Sequence, residues 1–219
     1  MSVLFSASMM CANYACLEKE IRELEEGSVD AFHIDIMDGM FVPNFGMGIH
    51  DLRYIRSATK KSVEAHLMVR EPLRHLNIFV DCGVDALYVH PESEYHPSTT
   101  LQAIVEAGVT PGIAINPGTS VESVLELLRI VKRVLVMSVN PGHAGQIYLP
   151  YVGEKIKKLL DLKDEYGFDV FWDGACTADK IRTFAPMGMK GFVLGTATLF
   201  GHGRSYGEIL SELRRGVSG

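Results

Sequence analysis

The chain has 219 residues, of which 47% are hydrophobic and 22% charged, and its formal net charge is −6. This length fits one domain with a large core, predicted to span residues 1–219, and the ordinary charge content argues against disorder. The acidic balance argues against a nucleic-acid partner, and the lack of a long apolar run argues against a membrane span.

Two features favour a cytoplasmic protein. The chain begins MSVLFSASMM, which lacks the basic segment of a signal peptide and runs directly into a strand pattern. The four cysteines, Cys11, Cys16, Cys82 and Cys176, form no CxxC pair and no framework typical of a small disulfide-bonded domain. We therefore expect a soluble cytoplasmic protein with reduced thiols.

Short apolar runs alternate with amphipathic stretches along the chain. The predicted strands are 5–10, 31–35, 62–68, 86–90, 111–115, 133–139, 169–173 and 191–194. The predicted helices are 14–26, 49–57, 72–82, 99–107, 121–130, 152–166, 179–187 and 206–215. Eight strand–helix units in one domain predict an α/β protein with a closed (β/α)₈ barrel, the TIM-barrel architecture. An open doubly wound sheet is the alternative, weakened because no GxGxxG motif follows the first strand.

The second strand carries two polar side chains within an apolar run. His33 and Asp35 are two positions apart, so both point to the same face of the strand. A histidine and a carboxylate side by side can ligate a metal, and the carboxylate can also move a proton. The alternative is a hydrogen-bonded buried histidine beside an aspartate that caps a turn.

A barrel carries its functional residues at the C-terminal ends of its strands. Unusual polar residues occur at these predicted ends: Ser8, His33, Asp35, His66, His90 and Asp173. Four of them, His33, Asp35, His66 and Asp173, offer two imidazoles and two carboxylates. This set suits one divalent ion such as Zn²⁺, Fe²⁺, Co²⁺ or Mn²⁺ better than Ca²⁺ or Mg²⁺. His90 is expected to be a core histidine or a partner of a ligand.

Asp35 and Asp173 would reach this pocket from roughly opposite sides of an eight-stranded ring. Such a pair suits proton removal from one face of a carbon and proton delivery to the other, with a metal stabilising the enediolate between these steps. Each aspartate alone could instead cap a turn.

Small residues follow the sixth, seventh and eighth strands. These residues are Gly142, His143, Ala144, Gly145 and Gln146, then Gly174 and Ala175, then Gly195 and Thr196. Backbone N–H groups exposed by small residues form a phosphate site in many barrels, although ordinary turns use the same residues. Met37, Met68 and Met137, also near strand ends, either fill the core or wall the pocket and exclude water.

Four segments, HIDIMDGMFVPN, AHLMV, VMSVNPGHAGQ and FWDGA, resemble the ribulose-phosphate 3-epimerase family in order and spacing. The resemblance covers essentially the whole chain. It implies a (β/α)₈ barrel that binds a divalent metal and inverts C3 of a ketose phosphate. It places the metal ligands at His33, Asp35, His66 and Asp173, with Asp35 and Asp173 as proton carriers. Ser8 and His66 are expected to contact the sugar phosphate, and we expect a homo-oligomer.

Several residues depart from the usual family pattern and leave the sugar open. The usual PGFGGQ reads PGHAGQ here, the usual VDGG reads WDGA, SASMMC replaces PSILS, and the fourth strand ends His90-Pro91-Glu92. Several of these changes resemble the allulose-6-phosphate 3-epimerase branch. Both D-ribulose 5-phosphate and D-allulose 6-phosphate are therefore candidate substrates. His143 could add positive charge near the phosphate at lower pH.

Two other functions compete with an epimerase. A lyase or decarboxylase on a phosphate-binding barrel commonly uses a lysine, and no lysine lies at the C-terminal end of a predicted strand. A non-catalytic sugar-phosphate binder would need no second aspartate.

Overall fold

The strands of this protein close into a single parallel barrel in a computed structural model that describes residues 3–217. The strands are β1 Leu4–Ser8, β2 Ala31–Met37, β3 Ser62–Met68, β4 Ala86–Val89, β5 Thr110–Ile115, β6 Arg133–Met137, β7 Asp169–Asp173 and β8 Gly191–Leu194. They are hydrogen-bonded in chain order, and β8 pairs with β1. The predicted barrel is therefore confirmed and the open sheet is wrong. Two residues at each end of the predicted domain 1–219 lie outside the described residues.

Seven α-helices surround the barrel within residues 3–217. The helices are α1 Leu17–Glu26, α2 Ile49–Ala58, α3 Leu76–Asp81, α4 Pro97–Glu106, α5 Val152–Tyr166, α6 Ala178–Phe184 and α7 Tyr206–Val217. Their apolar faces pack on the outside of the strands in one large core. None of the helices in this part of the chain is long and apolar enough to cross a membrane.

The predicted helix 121–130 is wrong. This segment forms two short 3₁₀ turns, Glu122–Val124 and Leu127–Arg129. At its start, Ser123 bonds both the backbone carbonyl and the side chain of Ser120, which competes with an α-helical turn. Val121, Val124 and Leu128 are nevertheless buried in the core. The apolar spacing of this segment therefore identifies its buried face correctly, although the segment forms 3₁₀ turns instead of an α-helix.

Similar 3₁₀ turns shorten four other predicted elements. The segments Met9–Cys11, Tyr14–Cys16, Pro72–His75 and Ala185–Met187 are 3₁₀ turns rather than parts of a strand or an α-helix. The first strand consequently ends at Ser8, so that residues 9–11 lie on the rim of the barrel.

The strand register brings the polar residues to one height. Asp35 pairs with His66 across β2 and β3, and Met137 pairs with Asp173 across β6 and β7. Because all strands are parallel, these residues share the C-terminal rim. The barrel interior contains a second apolar cluster formed by Tyr88, Ala114, Leu135, Met137, Phe171 and Val193.

Candidate active site

Four side chains converge at the C-terminal rim of the barrel. His33 and Asp35 lie on β2, His66 lies on β3 and Asp173 ends β7. One potential ligand atom from each lies within 4.8 Å of the other three. Asp35 Oδ1 is 3.6 Å from His33 Nε2 and 3.3 Å from His66 Nδ1, and Asp173 Oδ2 is 3.6 Å from His66 Nδ1. The structure thus brings together all four predicted ligands.

The spacing and the hydrogen bonding of this cluster fit a metal ion. Metal–ligand bonds of about 2.1 Å in a tetrahedral site separate the ligand atoms by about 3.4 Å. The three distances given above, 3.6, 3.3 and 3.6 Å, are close to this value. His33 Nε2 is buried and has no hydrogen-bond partner in the part of the chain that the structure describes. The other ring nitrogen, Nδ1, lies 3.0 Å from Glu64 Oε1. A carboxylate on one nitrogen of an imidazole is the usual way to direct the other nitrogen toward a metal.

The environment pushes the pKa values of the two aspartates apart. Burial opposes ionisation of Asp35, but His33 and His66 outweigh burial and hold the pKa of Asp35 well below its usual range. Burial raises the pKa of Asp173, and the negative charge of Asp35 raises it further. The pKa of Asp35 is thus shifted down and that of Asp173 is shifted up, so the two carboxyl groups differ in the direction that separate base and acid roles use.

The buried side chain of His90 forms a hydrogen bond with His66. His90 Nε2 lies 2.8 Å from His66 Nε2, so one of these two nitrogens must donate a proton to the other. Burial lowers the pKa of His90 to about 4, so its ring is neutral and can accept from His66. Glu92 Oε2 lies 3.7 Å from His90 Nδ1, and Thr119 donates a hydrogen bond to Glu92. Of the two expectations for His90, the structure favours a partner of a candidate ligand.

A cavity of about 310 Å³ opens at the same rim. The predicted site residues that line it are Ser8, Asp35, Met37, Met68, Met137, Gly142, His143, Ala144, Gly145, Gln146, Asp173, Gly174, Ala175, Gly195 and Thr196. Ser8 Oγ donates to Asp35 Oδ2 at 2.8 Å, which fixes that carboxylate at the cavity wall. His66 is fully buried and does not line the cavity, so the structure gives no support to a substrate contact by His66.

The loops after β6 and β7 have backbone conformations that favour small residues. Gly142, Gly145 and Gly174 have φ angles of 114°, 78° and 90°, and Ala175 follows with φ of 46°. A Cβ atom on Gly174 would lie 2.6 Å from Val139 Cγ2. All four residues line the cavity, and successive backbone N–H groups in such turns can form an anion site.

Sequence reasoning missed several residues of this site. Cys11 and Cys176 line the cavity, and Cys11 Sγ lies 3.9 Å from Ser8 Oγ. Their position directly after β1 and β7 was the available signal. Asn44 was also missed: its Nδ2 donates to the Gly142 carbonyl at 2.7 Å, which ties the loop after β2 to the loop after β6.

Comparisons with known proteins identify relatives that match most of the chain. The family model described as "Ribulose-phosphate 3 epimerase family" matches residues 4–199. The chain is 39% identical over 160 residues to the ribulose-phosphate 3-epimerase of Bacillus subtilis, covering 73% of this chain and 74% of that protein. It is 33% identical to the enzyme of the same name from Synechocystis, covering 97% and 94% of the two chains.

Solved structures show the same fold at low sequence identity. The structure of 3-keto-L-gulonate-6-phosphate decarboxylase from Vibrio cholerae matches with a TM-score of 0.75 at 11% identity, covering 99% of this chain and 98% of that one. Phosphoribosyl anthranilate isomerase from Thermus thermophilus matches with a TM-score of 0.70 at 12% identity, with 99% and 98% coverage. These likenesses show the barrel alone.

Proposed function

Because the chain belongs to the ribulose-phosphate 3-epimerase family, we propose that it inverts C3 of a ketose phosphate, converting D-ribulose 5-phosphate to D-xylulose 5-phosphate. The observation that carries this proposal is the pair Asp35 and Asp173. Both line one cavity, both lie within the candidate ligand cluster, and their pKa values are shifted in opposite directions.

The two aspartates share the proton transfers. One carboxylate removes the C3 proton from one face of the sugar, and the other aspartate, as the protonated acid, delivers a proton to the opposite face. Ser8 orients Asp35 through its hydrogen bond. In the reverse direction the two aspartates exchange roles.

His33, Asp35, His66 and Asp173 would hold one divalent ion, either Zn²⁺, Fe²⁺, Co²⁺ or Mn²⁺. When bound, such an ion polarises the ketose carbonyl and so acidifies the neighbouring C–H. Met37, Met68 and Met137 line the cavity beside the cluster and would exclude water from the reacting carbon.

The loops after β6, β7 and β8 would bind the phosphate. Their small residues line the cavity, and backbone N–H groups can approach an anion closely there. His143 lines the same cavity, and its Nδ1 donates to the Gly142 carbonyl. We propose this set of residues as the phosphate site.

D-Allulose 6-phosphate, which would give D-fructose 6-phosphate, is a second candidate substrate. Three of the residues that depart from the usual family pattern, His143, Ala144 and Ala175, lie in the cavity lining. Changes at these positions would act directly on the bound sugar.

The deciding experiment compares kcat/KM for the two ketose phosphates on the metal-loaded protein. A large preference for the pentulose phosphate supports the first substrate, and a preference for the hexulose phosphate supports the second. Failure to turn over either one contradicts the proposal. The cytoplasmic location and the homo-oligomer stay predictions.

A further inference from the structure

A chain of charged hydrogen bonds reaches the candidate metal centre from the opposite end of the barrel. Arg133 begins β6, and its Nη1 lies 2.8 Å from Glu64 Oε2. The other oxygen of that carboxylate, Oε1, lies 3.0 Å from His33 Nδ1. These contacts join β6, β3 and β2 and end at a candidate ligand.

The Glu64 carboxylate is almost completely buried, so its negative charge needs the nearby Arg133 guanidinium. The Glu64 side chain is 1% exposed and that of Arg133 is 21% exposed. A buried carboxylate is strongly unfavourable unless a cation and hydrogen bonds compensate it. Tyr88 Oη lies 3.5 Å from the same Glu64 oxygen, and the Arg133 guanidinium lies 5.0 Å above the Phe171 ring. Arg133 is thus fixed by packing as well as by charge.

The orientation of Glu64 determines which nitrogen of His33 faces the cluster. With Glu64 Oε1 turned toward it, Nδ1 donates the hydrogen bond. The lone pair of Nε2 then points into the cluster, where Asp35 Oδ1 lies 3.6 Å away. Among residues 3–217, Nε2 has no hydrogen-bond partner.

We propose that Arg133 is a positioning residue of the metal centre, which holds Glu64 so that His33 presents Nε2 to the ion. This inference rests on the metal-dependent function proposed above. Arg133 itself touches neither the ion site nor the cavity. Its effect is therefore expected on metal affinity, and on activity only through the metal.

The test measures Zn²⁺ affinity by competition with a chromophoric chelator. Arg133→Met removes the guanidinium and keeps the stem, and we expect the affinity to fall by about ten-fold or more, as for other groups that orient metal ligands. Arg133→Lys should recover part of the loss. Arg129→Met is a matched control, since Arg129 also pairs with a glutamate (Glu126, 3.5 Å) and lies 5.1 Å above the ring of Tyr166. Arg129 belongs neither to the ligand cluster nor to the cavity lining. This variant should leave the affinity unchanged.

A double-mutant cycle separates positioning from simple stability. Glu64→Gln keeps an acceptor for His33 without a buried charge, so Arg133→Met should change the affinity by less than about three-fold in that background. The proposal is overturned if Arg133→Met lowers only the Tm, or lowers the affinity equally in both backgrounds. If Arg133→Met does not fold, the double variant and Arg133→Lys decide the question. A wild-type protein that binds no ion would contradict the proposed function instead.

Discussion

Replacement of Asp173 by asparagine should separate proton transfer from binding. Asparagine has nearly the same shape and keeps an oxygen that can face His66, which lies 3.6 Å from the present carboxylate. It cannot carry a proton. Loss of one general acid or base typically costs 10²–10⁴ in rate, and because Asp35 alone cannot serve both faces of C3, we expect a loss of about 10³ in kcat. This loss corresponds to about 4 kcal/mol of barrier height.

Two assays on the metal-loaded variant follow this loss. A coupled assay of xylulose 5-phosphate formation gives kcat and KM, and KM should change far less than kcat because the phosphate site is untouched. NMR in heavy water follows deuterium exchange at C3. The epimer whose C3 hydrogen faces Asp35 should still exchange, whereas inversion should be lost.

The control is Asp179→Asn, at the start of α6, whose side chain is 93% exposed and accepts a hydrogen bond from Arg182. It should leave kcat unchanged. Turnover by Asp173→Asn within ten-fold of the wild-type value, with metal bound, would refute the two-aspartate mechanism.

Three further changes probe the cluster and the loop that follows β7. Chelation of the metal should abolish epimerisation and lower the Tm, because ligands from three strands lose their common partner. Added Mn²⁺ or Zn²⁺ should restore both the activity and the Tm. Activity that survives complete removal of the metal would contradict a metal-dependent site. Gly174→Ala should destabilise the fold by about 2 kcal/mol or more and raise KM, because φ is 90° at this residue and the new Cβ would lie 2.6 Å from Val139. The control is Gly118→Ala, where the new Cβ would meet no described atom within 4 Å, and this variant should leave thermal unfolding unchanged. Trp172→Phe removes the 2.9 Å hydrogen bond from Nε1 to the Gly174 carbonyl. Its free energy of unfolding, measured with denaturant, should fall by about 1–2 kcal/mol. An unchanged unfolding midpoint would show that this bond does not stabilise the loop.

The barrel and the position of its site could be predicted because they depend on local patterns. Buried parallel strands appear as short apolar runs, and their alternation with amphipathic segments determines the architecture. His33 and Asp35 share a face because they are two residues apart in one strand. His66 and Asp173 join them because the C-terminal ends of all strands meet at one rim, which requires no knowledge of loop conformation.

Contacts between distant side chains could not be predicted in the same way. Arg133 appeared only as the first residue of a strand, and its pairing with Glu64 depends on barrel stagger and on the rotamers of two long side chains. The bond from Asn44 to the Gly142 carbonyl depends on two loops whose paths no periodicity describes. Segment 121–130 kept its apolar spacing while its turns became 3₁₀, because the hydrogen-bond type depends on tertiary packing and local serine bonds.

The two-aspartate mechanism is tested most simply by incubating the metal-loaded wild-type protein with D-ribulose 5-phosphate in heavy water and following C3 by NMR. The two-aspartate mechanism predicts D-xylulose 5-phosphate that carries deuterium at C3, since the proton removed by one aspartate is replaced by a solvent-derived one from the other. Xylulose 5-phosphate formed with its original hydrogen fully retained at C3 would contradict that mechanism. If D-allulose 6-phosphate is also inert, the absence of both product and exchange would contradict the proposed activity itself.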